Sequence, residues 1–314
     1  MIVTRLTIKC FRLKIRPTFL LSLLCAALTL TGALSAQELI EESAAGTREG
    51  VSIKKWTYTS DGLLVNGELY LPPGGKKLPL VIFNHDGISG ISKEHRYSSV
   101  RLARAGYIVF SPSFRGEDGS QGMIEIAKGE VDDVLNALKI LKDHPRVKPD
   151  KVALVGASHG ALISVLAASR EKSIKAVVEA YGVMDIYKWY SYLKSSGKLG
   201  KDQVTLRTYG PGPHKRPQSF AIRNAVSVAS KLPCPLLILQ GSLDDIVPEE
   251  QAHLMQKAMK QAGKSVEVKI YPDALHGFLV YAPYLSDVTA AEKKQTESAW
   301  KTMLRFLKTN LKTE

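Results

Sequence analysis

The first 36 residues hold no acidic side chain, and the whole chain of 314 residues holds only three cysteines. Two of those, Cys10 and Cys25, fall inside the acid-free stretch, which leaves Cys234 beyond it. One thiol cannot close an intramolecular bridge, so the 278 residues that follow must fold on a hydrophobic core, and a chain of that length can bury one unaided. Cys234 sits in Lys231-Leu232-Pro233-Cys234-Pro235-Leu236, ahead of an apolar run, and reads as a small buried hydrophobe. It has no partners at metal-ligand spacing, so no metal site is expected. Internal repeats, a low-complexity tail and a second long apolar run are also missing. A solenoid and a later membrane span are thereby excluded.

What the opening stretch does contain is Arg5, Lys9, Arg12, Lys14 and Arg16, an apolar run from Thr18 to Leu34, and Ala33-Leu34-Ser35-Ala36 before Gln37-Glu38. A basic start, an apolar middle and a small-residue exit make a secretory signal, with cleavage expected near Ser35 or Ala36. An uncleaved anchor is the alternative, since 17 apolar-rich residues lie at the short end of a bilayer span. Leu24 before Cys25 is too large for a lipoprotein cleavage site. Export, to a periplasm or beyond, is the expected destination.

Loss of those five cations lowers the formal charge from +13 to +8. The remaining excess is scattered: Lys293, Lys294, Lys301, Lys308 and Lys312 are interspersed with acids and apolar residues, as on a solvated helix face. No basic run with interleaved aromatics occurs, so nucleic acid is not an expected partner, and neither is a membrane once the signal is gone. Nothing in the sequence sets an oligomeric state.

Val51 to Thr59 and Leu63 to Leu71 alternate as strands do, around the turn Ser60-Asp61-Gly62. Beyond Pro72-Pro73-Gly74-Gly75 the pattern changes to short continuous apolar runs. These are Leu78–Phe83, Tyr107–Phe110, Val152–Val155, Ile174–Val178, Leu236–Leu239 and Val266–Ile270. Amphipathic stretches separate most of them: Val131 to Leu141 has helical spacing, Pro248-Glu249-Glu250 opens a helix, and about 288–311 forms a terminal one. Strands buried on both faces and alternating with helices predict an α/β fold with a mostly parallel sheet, helices on both faces and an N-terminal antiparallel hairpin. One domain is expected over 37–314, with an insert at about 182–231 before the strand Leu236–Leu239.

Val152-Ala153-Leu154-Val155-Gly156-Ala157-Ser158-His159-Gly160 runs a buried strand into a serine between two glycines, with a helix to follow. A tight turn needing small residues accounts for that. So does a nucleophile pushed out at a strand's carboxyl end on a sharp bend, with helix-opening N–H groups free to face an anion. A serine hydroxyl needs a base, and the base an orienting acid. In this architecture the order is serine, carboxylate, histidine. His85, His95 and His144 precede Ser158, His159 adjoins it, and His214 lies in the insert; only His253 and His276 follow a plausible acid. His253 falls inside the helix after Pro248. His276 follows the strand Val266–Ile270 on a Gly-flanked loop and is the better placed. The acid comes after the strand Leu236–Leu239, where spacing leaves both Asp244 and Asp245 open. Oxyanion donors are expected from the N–H of His159 and from one N–H of Asp86, Gly87 or Ile88, in the turn after Leu78–Phe83. Tyr187 and Trp189, in the aromatic part of the insert, are candidates to roof the substrate, or to form the insert's own core.

Together these residues resemble the α/β-hydrolase fold, and within it the dienelactone hydrolase and prolyl-oligopeptidase-like branch. The resemblance rests on Ser60-Asp61-Gly62, Phe83-Asn84-His85-Asp86-Gly87, Gly106-Tyr107-Ile108-Val109 and Phe114-Arg115-Gly116. Gly156-Ala157-Ser158-His159-Gly160, Gly241-x-x-Asp244-x-x-Val247-Pro248 and His276-Gly277-Phe278 complete it. It favours Asp244 over Asp245 and implies a triad Ser158–Asp244–His276 that works through an acyl-enzyme without a cofactor. The departures are plain: dienelactone hydrolases proper use cysteine where this chain has Ser158, and 278 residues leave no room for the propeller of prolyl oligopeptidases. The expected activity is therefore hydrolysis of small carboxylic esters. A serine peptidase or amidase acting on short peptides is one alternative, and a non-catalytic binding protein of the same fold is another.

Overall fold

A computed structural model of the chain describes residues 37–311. The expected secretory signal over 1–36, with Cys10 and Cys25, lies outside the described residues. Apolar runs too short for helices form most of the strands, which assemble into a nine-stranded sheet. In chain order these are β1 (Leu39–Arg48), β2 (Val51–Ser60), β3 (Leu63–Leu71), β4 (Leu78–Asn84) and β5 (Ile108–Pro112). They continue with β6 (Val147–Ala157), β7 (Ile174–Ala180), β8 (Leu236–Gly241) and β9 (Val266–Tyr271). The spatial order is β1-β2-β3-β5-β4-β6-β7-β8-β9. β2 and β3 pair antiparallel through Ser60↔Leu63, closed by Asp61 and Gly62 at φ 49° and 79°, the left-handed pair a two-residue hairpin requires. From β5 to β9 every pairing is parallel.

The helices are α1 (Lys93–Arg104), α2 (Gly129–Lys142), α3 (His159–Ala168), α4 (Ile186–Ser195) and α5 (Gln203–Tyr209). α6 (Pro217–Ala221), α7 (Glu250–Gln261) and α8 (Ala290–Leu311) complete the set. Both sheet faces are covered, and the strand sequences show why. Leu80, Ile82, Val152 and Leu154 pack with α2, α3 and α7, while Val81, Phe83, Ala153 and Val155 pack with α1 and α8. A strand with two buried faces has no polar side to alternate with. Cys234 belongs to the first of these cores, and burial pushes its thiol up to about 12.

Two elements depart from the sequence reading. β1 is a strand although all ten of its residues are exposed. Its apolar residues do not alternate, so nothing in the pattern marks it; backbone pairing to β2 forms it, and Glu42 ties it down by accepting from the Trp56 indole at 2.8 Å. As the sheet's edge it carries Glu41 and Glu42, charges that discourage further pairing. α7 begins at Glu250, two residues after Pro248, whose carbonyl accepts from Gln251 N–H at 2.9 Å. The insert between β7 and β8 holds α4, α5, α6 and a 3₁₀ turn, Ala225–Lys231, with its own small core that includes Ile186, Tyr209 and Phe220. Among the described residues no helix is long and apolar enough to cross a membrane.

Candidate active site

β6 stops at Ala157 and α3 starts at His159, so Ser158 alone must turn the chain. It does so at φ 50° and ψ −114°, a conformation that costs a non-glycine residue on the order of 1–3 kcal/mol. Its N–H donates to Ala180 of β7 at 2.8 Å and pins the bend to the sheet. Steric contact explains the flanking glycines. A Cβ on Gly156 would lie 2.1 Å from the Gly160 carbonyl oxygen, and one on Gly160 would lie 2.2 Å from that of Asn84. Only hydrogen fits at either place.

The loop after β9 carries His276 across the strand ends, where its Nε2 lies 3.0 Å from Ser158 Oγ. The other ring nitrogen, Nδ1, lies 2.7 Å from Asp244 Oδ2. A carboxylate can only accept there, so Nδ1 carries the proton and Nε2 faces the serine as an acceptor. Asp244 is buried and closely held. Its Oδ1 accepts from the N–H groups of Ile246 and Val247 at 3.0 and 2.8 Å, and Gln240 Nε2 donates to Oδ2 at 3.3 Å. Tyr181, itself left-handed at φ 44°, sets its ring edge against the imidazole at 4.9 Å. The fully buried Glu179 on β7 lies behind this group. Burial, with the Asp244 charge adding to it, pushes the Glu179 carboxyl up to about 8, so it is neutral at pH 7.

The two rival residues weighed in the sequence, Asp245 and His253, are placed elsewhere. Asp245 points to solvent and pairs with Lys198 at 2.9 Å, and His253 is exposed on α7 beside Glu249 at 2.8 Å.

Gly87 and His159, expected around an oxyanion, border one cavity with Ser158 and Ile88. Gly87 is left-handed at φ 67°, which the tight turn after β4 demands. Asp86 is in that turn, but its side chain faces away from the cavity and accepts from Tyr281 OH at 2.6 Å. Burial raises its pKa against the pull of that hydrogen bond. Beneath the turn His85 is buried with Nε2 3.1 Å from Glu117. Burial alone would lower its pKa, yet the Glu117 carboxylate raises it on balance.

The cavity measures about 190 Å³, and Ile126, Leu162, Val183, Tyr209 and Val247 give it apolar walls. Trp189 is part of the lining and donates from its indole to Ile246 O at 3.0 Å. Tyr187, the other aromatic expected there, lies outside the lining: it is exposed, with its ring tilted against Phe220 at 5.6 Å between centroids. Only two residues separate them along α4, about 200° of helix rotation, so the two rings leave the helix on nearly opposite faces. Ile126, Val183 and Tyr209 carry no sequence signal, because a wall residue looks like any other apolar residue until the chain is folded.

A profile of the dienelactone hydrolase family matches residues 65–311. Among curated proteins the chain is 27% identical over 222 residues to the "Uncharacterized peptidase YtmA" of Bacillus subtilis, spanning 70% of this chain and 84% of that one. It is 28% identical over 249 residues to Dipeptidyl-peptidase 5 of Porphyromonas gingivalis, covering 72% of this chain but only 35% of that longer protein. Among solved structures, an acetyl xylan esterase from Paenibacillus sp. R4 superposes with a TM-score of 0.69 at 16% identity, over 95% of this chain and 96% of that one. That likeness shows the fold. The profile covers most of the chain, and on that ground the chain belongs to the dienelactone hydrolase family and is a serine hydrolase of the α/β-hydrolase fold.

Proposed function

We propose that the chain hydrolyses carboxylic esters through an acyl-enzyme on Ser158. One observation carries this reading: the continuous hydrogen-bonded line from Ser158 Oγ to His276 at 3.0 Å and from His276 to Asp244 at 2.7 Å. His276 Nε2 removes the serine proton as Oγ attacks the carbonyl, then returns it to the leaving alkoxide. Asp244 keeps the imidazole in the Nδ1–H tautomer and balances the imidazolium. The developing oxyanion is taken by the N–H of His159, which opens α3, and by an N–H of the Asp86–Gly87–Ile88 turn. Water activated by the same histidine releases the acid. No cofactor enters this chemistry.

The cavity supports a small apolar acyl group. Its volume of about 190 Å³ lies below the range of roughly 300–1,000 Å³ usual for whole-ligand pockets. A dry cavity of about 150 Å³ accepts benzene, so a ring-sized or short acyl chain fits. The peptidase names of two relatives favour a second reading, amide hydrolysis by the same residues. Export rests on the pattern of residues 1–36, and amino-terminal sequencing of the exported protein would test it; a retained Met1 rejects cleavage.

Ser158→Ala should lower kcat for short-chain aryl esters by about 10⁵–10⁶-fold without loss of folding. A fluorophosphonate probe should label Ser158. Undiminished turnover in the variant rejects the mechanism, and a serine that stays unlabelled leaves the binding-protein reading. Peptide anilides cleaved as fast as esters would favour the amidase.

A further inference from the structure

The hydrolytic reading uses only the backbone N–H of His159, yet its imidazole makes two bonds of its own. Nε2 accepts from Ala127 N–H at 3.0 Å, so it carries no proton. Nδ1 therefore carries the proton and donates to the Gly87 carbonyl at 2.9 Å. These partners belong to two different segments of the chain, each with a residue in the cavity lining. Gly87 is in the turn after β4, and Ala127 is in the bend before α2.

That bend is strained. Ile126 and Ala127 are both left-handed, at φ 55° and 52°, and a β-branched residue there is a true outlier that its surroundings must enforce. The enforcement is visible. The buried Glu130 carboxylate accepts from the N–H groups of Glu125, Ile126 and Lys128 at 2.6, 3.0 and 3.1 Å. Arg223, reaching over from the insert, donates to the carbonyls of Ile126 and Glu125. Glu130 takes every amide of the bend except that of Ala127, and His159 takes that one. Ile126 lines the cavity, so the strain sets the shape of its wall.

The geometry points to the His159 imidazole as a positioning residue: a strut that fixes the oxyanion turn at Gly87 and the cavity wall at Ile126–Ala127 to each other, competent only as the neutral Nδ1–H tautomer. This role rests on the reading of Ser158 as nucleophile. A protonated ring would present an N–H to the Ala127 N–H, breaking one bond and leaving a buried amide unpaired. Burial lowers the His159 pKa; Glu130 on α2 and Glu117 from the segment after β5 oppose that, while His85 beneath the turn adds to it. The Phe114 ring packs at 6.2 Å, and Tyr209 and Asp202 line the same cavity. The sign follows: the strut is intact at neutral pH and is lost as pH falls through the lowered pKa.

The test compares kcat and KM against pH in the intact protein, His159→Leu and His159→Gln. Leucine removes both bonds and should lower kcat by about a hundredfold, the scale of a misplacement near 1 Å, while Ser158 still takes the fluorophosphonate label. Glutamine offers Ala127 a non-ionising acceptor and should recover most of that loss. The acid limb of the intact protein should involve one more proton than that of the glutamine variant, a change that a purely structural role would not produce. With ¹⁵N-labelled imidazoles, His159 should show a protonated Nδ1 and a bare Nε2. If the leucine variant does not fold, the glutamine pH profile and this spectrum decide. An Nε2–H tautomer, or an acid limb shared by the intact and glutamine proteins, overturns the strut. Failure of the intact protein to label at Ser158 overturns the serine mechanism itself, and this role with it.

Discussion

The two sides of the candidate site are built differently. Ser158, Asp244 and His276 follow the ends of β6, β8 and β9 in a parallel sheet whose inner strands are buried and whose edge strand β9 is only partly so. Trp189 and Tyr209 of the cavity lining come from the insert, whose core is small and whose α4 buries only Ile186 and Leu193. One side is set by sheet geometry and tolerates no change of shape. The other is a wall of side chains on short helices, where one apolar residue can stand in for another. Chemistry belongs to the first side and selectivity to the second.

Neighbouring residues give the sharpest way to break that comparison. Asp244→Asn removes the charge behind His276 and should lower kcat by about 10⁴-fold. Asp245→Asn, one residue on and facing solvent, should leave kcat within about twofold, since its ion pair with Lys198 is exposed. Equal losses in the two would show that the strand end is not what matters. The next effect is on folding. Gly156→Ala forces a methyl to 2.1 Å from a backbone oxygen, and chemical melts should show a loss of at least about 1–3 kcal/mol.

On the insert side the effects should be smaller and of another kind. Trp189→Ala enlarges the cavity and should raise KM for ring-sized acyl esters about tenfold with kcat little changed. A matching fall in kcat would place the insert among the catalytic parts. A last effect, on the pH dependence of stability and not on activity, concerns Glu179, whose carboxyl is raised to about 8. The folded protein keeps its proton where the unfolded chain releases it, so this group lowers stability as pH rises from about 4.5 towards 8. Melting curves of Glu179→Gln should therefore match the unaltered protein near pH 4 and gain on it progressively up to pH 8.

Much of the sheet side was legible beforehand. Continuous Val, Leu and Ile runs mark doubly buried strands, and Gly156 and Gly160 around Ser158 mark a bend that nothing larger can make. The choice between His276 and His253 followed from loop against helix placement. Spacing did not separate Asp244 from Asp245, because adjacent residues point in different directions only once Val247 and Ile246 turn their N–H groups onto one of them. β1 escaped notice because an exposed edge strand has no face to pattern. Tyr187 and Trp189 looked alike, since an aromatic-rich helix has no period that says which ring meets the cavity.

Chain order and local sterics alone thus determined the α/β fold, the serine on its bend and the order of its two candidate partners. They could do so because burial on two faces and a turn without room for a Cβ constrain residue type position by position. Which carboxylate meets the histidine, which wall encloses the substrate and how the His159 ring bridges Gly87 and Ala127 were decided only by folding. Those contacts join residues from 32 to 118 positions apart, and only packing brings such groups within the few ångströms at which a hydrogen bond forms.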